Sequence, residues 1–305
     1  MAEVCEFSKA SPIPLGGLAR ATAFLELFNP RIAALVLVAT AVGFYLAVPA
    51  GAGMGFALVH TLLGTALVAA GANAFNQFLE SEFDARMPRT AGRPLPSGRL
   101  NAGEVLWFAV AVSTAGVGYL ALFANPLAAA VAAFTLLSYA FVYTPLKRRT
   151  SMCVFVGAIP GALPPVIGWA GATGTLAYET WLLFAIVFFW QLPHFMAIAW
   201  LYREDYRLGG YPMIPVIDAD GTRTDLHMIT HSVGLLAASV LPTLSGVAGV
   251  VYATGALVLG TAFLACGVLF VIRKTTEVAR FHLVASITYL PLLCALLMID
   301  KVHAA

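Results

Sequence analysis

Nine long apolar runs, separated by short polar connections, dominate the sequence. Each run is close to or above the roughly 20 residues that an α-helix needs to cross the core of a bilayer. The chain is 60% hydrophobic and only 10% charged, which is more apolar surface than one soluble core could bury. The sequence therefore predicts an all-α, polytopic membrane protein with a nine-helix transmembrane domain over residues 24–300, preceded by an N-terminal segment, residues 1–23; a bundle of eight spans stays open. The predicted spans are residues 24–48, 54–79, 102–123, 126–144, 151–170, 178–201, 226–249, 251–272 and 281–300.

The distribution of Lys and Arg predicts the orientation. With nine spans, almost all of these residues fall on the side of the N-terminus, whereas the opposite side holds only Lys301, and Arg31 lies within the first span. Lys and Arg in short loops mark the cytoplasmic face, so we expect the N-terminus and the charged loops in the cytoplasm. Residues 1–23 carry Glu3 and Glu6 and are followed by no secretory cleavage site, which favours a bacterial inner membrane over an organelle or secretion.

The cysteines and the net charge indicate no further class of function. Because the four cysteines are scattered and form no C-x-x-C pair, we expect neither a disulfide nor a metal cluster. The net charge is +2, and topology accounts for the basic residues, so nucleic-acid binding is not indicated. The cysteines are Cys5, Cys153, Cys266 and Cys294.

A polar stripe ends the second predicted span. Asn76, Glu80 and Asp84 follow one another at intervals of four residues, which places them within about an 80° arc of one helix face. Glu82 falls off this stripe and is expected to face solvent. Oxygen-bearing side chains without His or Cys suit Mg²⁺, which binds carboxylates and is usually completed by substrate phosphate. The stripe therefore predicts an Mg²⁺ site, although the hydrated end of a helix is the simpler alternative.

Two groups of basic residues lie on the same predicted face. Guanidinium and ammonium groups bind phosphate oxygens directly, and we expect Lys147 in particular to reach a phosphate. A purely topological role stays open, most of all for Arg86, Arg99 and Arg149. The residues are Arg86, Arg89, Arg93 and Arg99 in the first loop, and Lys147, Arg148 and Arg149 in a turn after the fourth span.

A second acidic motif ends the sixth predicted span. Glu204, Asp205 and Tyr206 are followed by Gly209 and Gly210, which let the chain turn sharply. On its own this motif is equally well explained as a solvated helix end. Together with the first stripe on the same face, it could bind a second metal ion that bridges the same diphosphate.

These features together predict an amphiphilic substrate with a diphosphate head. Metal ligands and basic residues at one face would hold the head, and the apolar helices would hold a polyprenyl tail. A secondary transporter is the alternative from another class, with intramembrane acids forming a midplane ion site. The polar residues collect at one face rather than at the midplane, and no inverted repeat is evident, which disfavours transport.

The motifs resemble the UbiA superfamily of intramembrane prenyltransferases, and within it the branch that farnesylates heme. The superfamily pattern N-x-x-x-[DE]-x-x-x-D matches Asn76, Glu80 and Asp84, and the heme-farnesylating pattern matches MPRTAGRPLPSGR at residues 87–99. The similarity extends over residues 24 to 300. Further matches are YTPLKRRT (143–150), GALPPVIGW (161–169), WQLPHF (190–195) and REDYRLGGYPMIP (203–215).

The resemblance implies transfer of the farnesyl group of farnesyl diphosphate to a vinyl group of heme B, giving heme O and diphosphate. It implies Mg²⁺ on Asn76, Glu80, Asp84 and Asp205, and Lys147 as a catalytic residue. A physical partnership with a heme A synthase is compatible with this role. A UbiA enzyme with an aromatic, quinone-precursor acceptor is the alternative. The implied substrate-binding residues are Arg89, Arg93, Arg148, Tyr206 and His194, the last as a heme contact unless it only hydrogen-bonds a neighbouring helix.

Overall fold

The computed structural model describes residues 16–49, 53 and 55–302 of the 305-residue chain. Lys9, Cys5 and most of the predicted N-terminal segment lie outside these residues. Within the described part, nine helical segments are long and apolar enough to cross a membrane, which confirms the predicted number. No β-strand ladder occurs there apart from one isolated bridge between Ala248 and Lys301.

The helices are numbered in chain order. The N-terminal half comprises α1 (Gly17–Phe28), α2 (Pro30–Ala47), α3 (Gly55–Asp84), α4 (Ala102–Phe123), α5 (Pro126–Leu137), a π-helical turn (Ser138–Tyr143) and α6 (Thr144–Leu146). The C-terminal half comprises α7 (Cys153–Gly161), α8 (Pro164–Thr173), α9 (Tyr178–Leu201), α10 (Arg203–Leu208), α11 (Ile214–Ile217), α12 (Thr222–Leu244), α13 (Val250–Arg273) and α14 (Thr276–Ile299). We call the end of the bundle at which α3 ends and α12 begins the site end.

The first predicted span, 24–48, is wrong at its start, because the chain forms two helices there. Asn29 adopts the left-handed conformation at φ 50°, a common helix C-cap for Asn, and Pro30 then begins α2. Helix α1 is amphipathic: Ala23 and Leu27 are buried, whereas Leu18 is 85% exposed. Only α2 is a candidate span, and α1 is a separate helix at the site end.

Two other spans are interrupted by proline. In the fourth span the helix widens to a π-helical turn before Pro145, which has no N–H to donate, and the hydroxyl of Thr144 donates to the carbonyl of Tyr139 at 2.9 Å. The predicted span 151–170 is two helices, α7 and α8, which break before Pro164. The side chain of Gln191 donates to the carbonyl of Ala158 at 2.7 Å near this break. The carbonyls of Tyr139 and Ala158 also accept a backbone N–H, from Thr144 and Ala162. The two side chains therefore add second hydrogen bonds beside the breaks, where broken membrane helices depend on support from neighbouring groups.

Small residues allow the closest helix contacts. A methyl group added at Gly43 of α2 would overlap the carbonyl of Pro165, and one added at Gly168 of α8 would overlap the carbonyl of Thr40. Because the helices gain no hydrophobic driving force from each other in lipid, such backbone approaches are a main source of association. Helix α8 therefore lies inside the bundle, and the span Cys153–Thr173 has 78% of its apolar window buried.

The packed interior has three apolar clusters, one of which supports the site end. The first lies among α1, α3, α4 and α5, and the second among α2, α9 and the last three spans. The third, which we call the site-end cluster, includes Met87, Cys153, Met196, Tyr206 and Tyr211. This cluster is the apolar floor beneath the loops that carry the predicted functional residues.

Candidate active site

The polar stripe lies on the last two turns of α3, as the spacing predicts. Helix α3 continues to Asp84, past the predicted limit of residue 79, so that Asn76, Glu80 and Asp84 share one continuous helix. Glu80 is 2% and Asp84 1% exposed, and Glu82 is half-buried rather than fully exposed. Burying a carboxylate is costly unless it is paired or binds a cation, so these two acids need partners.

The basic residues supply those partners. Nζ of Lys147 lies 3.1 Å from Oε1 of Glu80 and donates to Oε2 at 3.2 Å. Nη1 of Arg93 lies 2.5 Å from Oδ2 of Asp84. Burial alone would lower the pKa of Lys147, but the charge of Glu80 outweighs it and raises the pKa well above its ordinary value. Lys147 is therefore a permanent cation, held against the acidic stripe.

The acids retain coordination capacity. In the described part of the chain, Oδ1 of Asp84 is buried and has no hydrogen-bond partner, and Oε1 of Glu80, which lies 3.1 Å from Nζ of Lys147, accepts no hydrogen bond. Buried carboxylate oxygens are rarely left unsatisfied. With the carboxamide of Asn76, whose Nδ2 donates to the hydroxyl of Thr144 at 3.2 Å, they form an all-oxygen donor set that fits Mg²⁺.

Asp205 lies across the site end on the short helix α10. Its Oδ2 is 3.9 Å from Nε of Arg89, and the Arg89 guanidinium also lies 5.0 Å from the centre of the Tyr202 ring. No group of three His, Cys, Asp or Glu side chains in the described residues is close enough to hold a metal ion. In this arrangement Asp205 is thus engaged by Arg89 and is not clustered with Glu80 and Asp84.

A cavity of about 210 Å³ opens beside the stripe. It combines polar and charged groups from α3, the loop after α3 and the turn after α6 with apolar groups from α9. Such a mixture suits an amphiphilic ligand. The lining residues are Asn29, Ile32, Asn73, Asn76, Gln77, Glu80, Arg89, Arg93, Tyr139, Tyr143, Lys147, Phe195, Ile198 and Tyr206.

Several of these residues were not singled out from the sequence. Asn73 and Gln77 lie one turn apart on α3, and their amides donate to the carbonyls of Phe28 at 3.1 Å and Glu26 at 3.3 Å, which caps the end of α1. Tyr139 and Tyr143 lie within the π-helical turn. The sequence pattern that could have identified them is a polar or phenolic side chain within an apolar run, about one helical turn from another such residue and close to the predicted site residues.

Tyr211 is a further residue that the sequence did not reveal. Its ring is 1% exposed and lies 4.7 Å from Nζ of Lys147, and its buried hydroxyl has no hydrogen-bond partner in the described residues. Burial raises the pKa of Tyr211, so the phenol stays protonated and can donate. Tyr206 faces the same ammonium at 5.8 Å.

Arg148 and His194 lie outside the cavity lining. The guanidinium of Arg148 lies 4.2 Å from the centre of the Phe83 ring. Nδ1 of His194 is 2.7 Å from the hydroxyl of Ser286 on α14, and its ring stacks on Trp190 at 4.9 Å. The structure thus shows the helix-to-helix hydrogen bond that was the alternative to heme contact.

The fold and the site together define a polytopic membrane protein whose buried carboxylates and basic residues meet around a cavity at one end of a helix bundle. The UbiA prenyltransferase family model matches residues 36–290. The chain belongs to this family.

Individual relatives agree with this assignment. A protoheme IX farnesyltransferase from Solibacter usitatus is 47% identical over 286 residues, which cover 91% of this chain and 98% of the relative. A solved digeranylgeranylglyceryl phosphate synthase superposes with a TM-score of 0.77 at 16% identity, covering 92% of this chain and 98% of its own. A UbiA homologue from Archaeoglobus fulgidus, solved bound to GPP and Mg²⁺, gives a TM-score of 0.63 at 16% identity, covering 90% and 99%. The two solved structures support the fold.

Proposed function

We propose that this chain transfers the farnesyl group of farnesyl diphosphate to a vinyl group of heme B, giving heme O and diphosphate. The observation that carries the proposal is the meeting of buried acids and cations around the cavity, in a chain that is 47% identical to a protoheme IX farnesyltransferase over 91% of its length. The charged groups fit a diphosphate, and the relative's name identifies the acceptor, protoheme IX, and the transferred farnesyl group.

The residues divide the work by their chemistry. Asn76, Glu80 and Asp84 would hold Mg²⁺, with Asp205 as a further ligand from the opposite side. Bound there, Mg²⁺ would neutralise the negative charge that grows on the leaving diphosphate. Lys147 and Arg93 bind diphosphate oxygens, and Arg89 and Arg148 extend this basic surface.

The proposed bond changes begin at the allylic carbon of farnesyl diphosphate. The allylic C–O bond of farnesyl diphosphate breaks, and its electron pair leaves on the diphosphate, which the cations stabilise most strongly once it is fully charged. The farnesyl cation is then attacked by the heme vinyl group, and water adds to the carbocation beside the pyrrole with loss of a proton. Apolar residues such as Phe195 and Ile198 exclude other water from the cavity and lie along the path of the tail.

We further propose a bacterial inner membrane with the site end facing the cytoplasm. The side of the chain that holds most Lys and Arg supports this orientation, and cytoplasmic farnesyl diphosphate would then reach the site without crossing the bilayer. A heme A synthase, as the consumer of heme O, is the proposed neighbour in the membrane.

Membranes that contain the chain test the function directly. With farnesyl diphosphate, heme B and Mg²⁺ we expect a new product with the mass of heme O, lost on treatment with EDTA and restored by Mg²⁺ or Mn²⁺. An aromatic quinone precursor serves as the competing acceptor. Prenylation of that precursor instead of heme, or full activity after thorough chelation, would contradict the proposal.

A further inference from the structure

A group of histidine and phenylalanine side chains lies on the flank of the bundle, apart from the cavity. Helix α9 packs against both α7 and α12, and histidine and aromatic side chains of the three helices meet there. His227 and His231 face each other one turn apart on α12, with ring centres 5.3 Å apart. Phe155 of α7 lies 5.2 Å and 5.4 Å from the two imidazole rings. All three side chains are only partly buried. We call this group, with Phe188 and Phe189 of α9, the His227–His231 bay.

The hydrogen bonding of the bay leaves a ring nitrogen available. Nδ1 of His231 is 2.6 Å from the carbonyl oxygen of His227. Because a carbonyl can only accept, Nδ1 carries the proton, and the neutral ring presents Nε2 as a lone pair. A backbone carbonyl on the far nitrogen is the arrangement that fixes a metal-binding imidazole. In the described part of the chain, no side chain hydrogen-bonds to Nε2 of His231.

The floor of the bay is aromatic. The rings of Phe188 and Phe189 lie 5.5 Å apart, Phe184 stacks on Phe188 at 5.9 Å, and Phe189 lies 6.5 Å from His231. Phe189 stands edge-on to Phe188, with 89° between the two ring planes, so these side chains offer both ring edges and ring faces to a planar ring system.

The polarity of α12 changes along the bay. Arg223, His227 and His231 are spaced by four residues, so they follow one face from the exposed start of the helix into the apolar zone. The side chain of Arg223 is exposed, and its backbone N–H donates to Asp218. The bay thus has a cation, Arg223, at the surface, a metal ligand, His231, deeper in the apolar zone, and aromatic rings beside it. This order of groups matches an iron porphyrin whose carboxylates lie at the surface.

The bay and the cavity both border the site-end cluster. Phe155 and Phe188 pack against the site-end cluster, as do Phe195 and Tyr143, which line the cavity. A ligand in the bay therefore lies against the same apolar cluster as a ligand in the cavity.

We propose that the His227–His231 bay docks heme B, with the iron on Nε2 of His231, the porphyrin against Phe155 and Phe188, and a propionate on Arg223. The inference rests on the proposed function for the identity of the acceptor. It assigns to heme a lateral docking site that is distinct from the diphosphate site.

Heme titration of the purified full-length chain tests the bay. The variants are His231→Ala, His227→Ala and Arg223→Gln. The control is His60→Ala, because His60 is also half-buried and stacked on an aromatic ring, Phe123, but lies on α3 far from the site end. We expect His231→Ala to weaken heme binding at least about tenfold and to change the Soret band, and added imidazole to restore the band. The control should bind heme like the unaltered chain.

Two measurements distinguish a loss of heme docking in the bay from a folding defect and from a failure of the proposed function. Metal-free protoporphyrin should bind equally to the unaltered chain and to His231→Ala but more weakly to Arg223→Gln. The KM for farnesyl diphosphate should be unchanged in all variants, which shows that they are folded. Heme O synthesis with unchanged heme affinity in all three variants would overturn the bay and leave the function standing. Loss of heme binding in His231→Ala without any heme O synthesis by the unaltered chain would support the bay and overturn the function.

Discussion

The ammonium of Lys147 lies between the carboxylate of Glu80, at 3.1 Å, and the face of the Tyr211 ring, at 4.7 Å. This contact joins the second and fourth spans and neutralises both charges in a nearly dry site. Removing one member of such a pair leaves an uncompensated buried charge, whereas replacing both is often tolerated.

The pair therefore allows stability and activity to be separated. We expect Lys147→Met or Glu80→Gln alone to lower the free energy of unfolding by about 3 kcal/mol, and the double variant to recover much of this loss. All three should be inactive. Arg207→Gln, in an exposed pair with Glu204, is the control and should change neither property. Thermal unfolding in detergent with parallel heme O assays measures both; an active double variant would mean that the pair serves the fold alone.

The acidic stripe can be tested within one helix. Asp84→Asn should lower kcat at least about 100-fold, because loss of a ligand charge weakens both the metal and the stabilised diphosphate. Glu82→Gln, two residues earlier but off the stripe, should retain most activity. Equal losses in the two variants would show that position on α3, and not orientation, determines the effect.

Arg93 should affect one substrate and not the other. Arg93→Ala is expected to raise the KM for farnesyl diphosphate and to lower kcat, since the charge on the diphosphate grows as the C–O bond breaks. The KM for heme should stay nearly unchanged. Arg86→Ala, an exposed arginine in the same loop, is the control. A raised KM for heme would assign this loop to the porphyrin propionates instead.

Helix α1 should respond to acid. Arg99 donates to both carboxylate oxygens of Glu26, at 2.7 and 2.6 Å, and to the carbonyl of Gly92, and this hydrogen bonding lowers the pKa of Glu26 below 4.5. Its contribution to stability is therefore present above about pH 4.5 and is lost as the pH falls through the lower value in the folded state. Proteolysis within α1 should increase in that range, less steeply in high salt because Glu26 is 40% exposed. In Glu26→Gln the acid-dependent step should be absent; its persistence would place the responsible group elsewhere.

The contact between α2 and α8 should depend on glycine. Gly168→Ala adds a methyl group where the carbonyl of Thr40 lies, so the two helices must separate, and we expect the melting temperature to fall. Gly118→Ala on α4 meets nothing within 4 Å and should be neutral or stabilising, because alanine favours the helix. Equal melting temperatures for the two variants would argue against the close approach.

The sequence predicted those features that follow from periodicity. Apolar length predicted the nine spans, and the four-residue spacing predicted that Asn76, Glu80 and Asp84 share one face. The break at Asn29 was missed because apolar residues lie on both sides of Asn29-Pro30-Arg31 and proline is tolerated inside membrane helices. In the structure a left-handed cap at Asn29 and Pro30 at the start of α2 separate the two helices. Tyr211 was missed because its place beside Lys147 depends on how the chain folds back after α10, which no local pattern encodes.

Residue pairing was harder to predict than residue choice. Lys147 and Glu80 are both evident as charged residues at span ends, but their contact requires α3 to pack beside the π-helical turn. His227 and His231 belong to no motif in the sequence, and their contact with Phe155 of another helix is evident only in the folded chain.

The π-helical turn rotates one end of the fourth span about the helix axis relative to the other end. It contains one residue more than an α-helix would use, and each residue of an α-helix corresponds to 100° of rotation. The membrane part of the span packs against α4 and α8. The end that carries Lys147 is consequently rotated about the helix axis relative to that membrane part. Deleting one residue between 138 and 143 would remove the extra residue of the π-helical turn. Lys147 would then turn by about 100° away from Glu80, while every apolar contact of α5 remained in place. In such a span the direction in which the Lys147 ammonium points is controlled by chain length, a variable that substitutions cannot change.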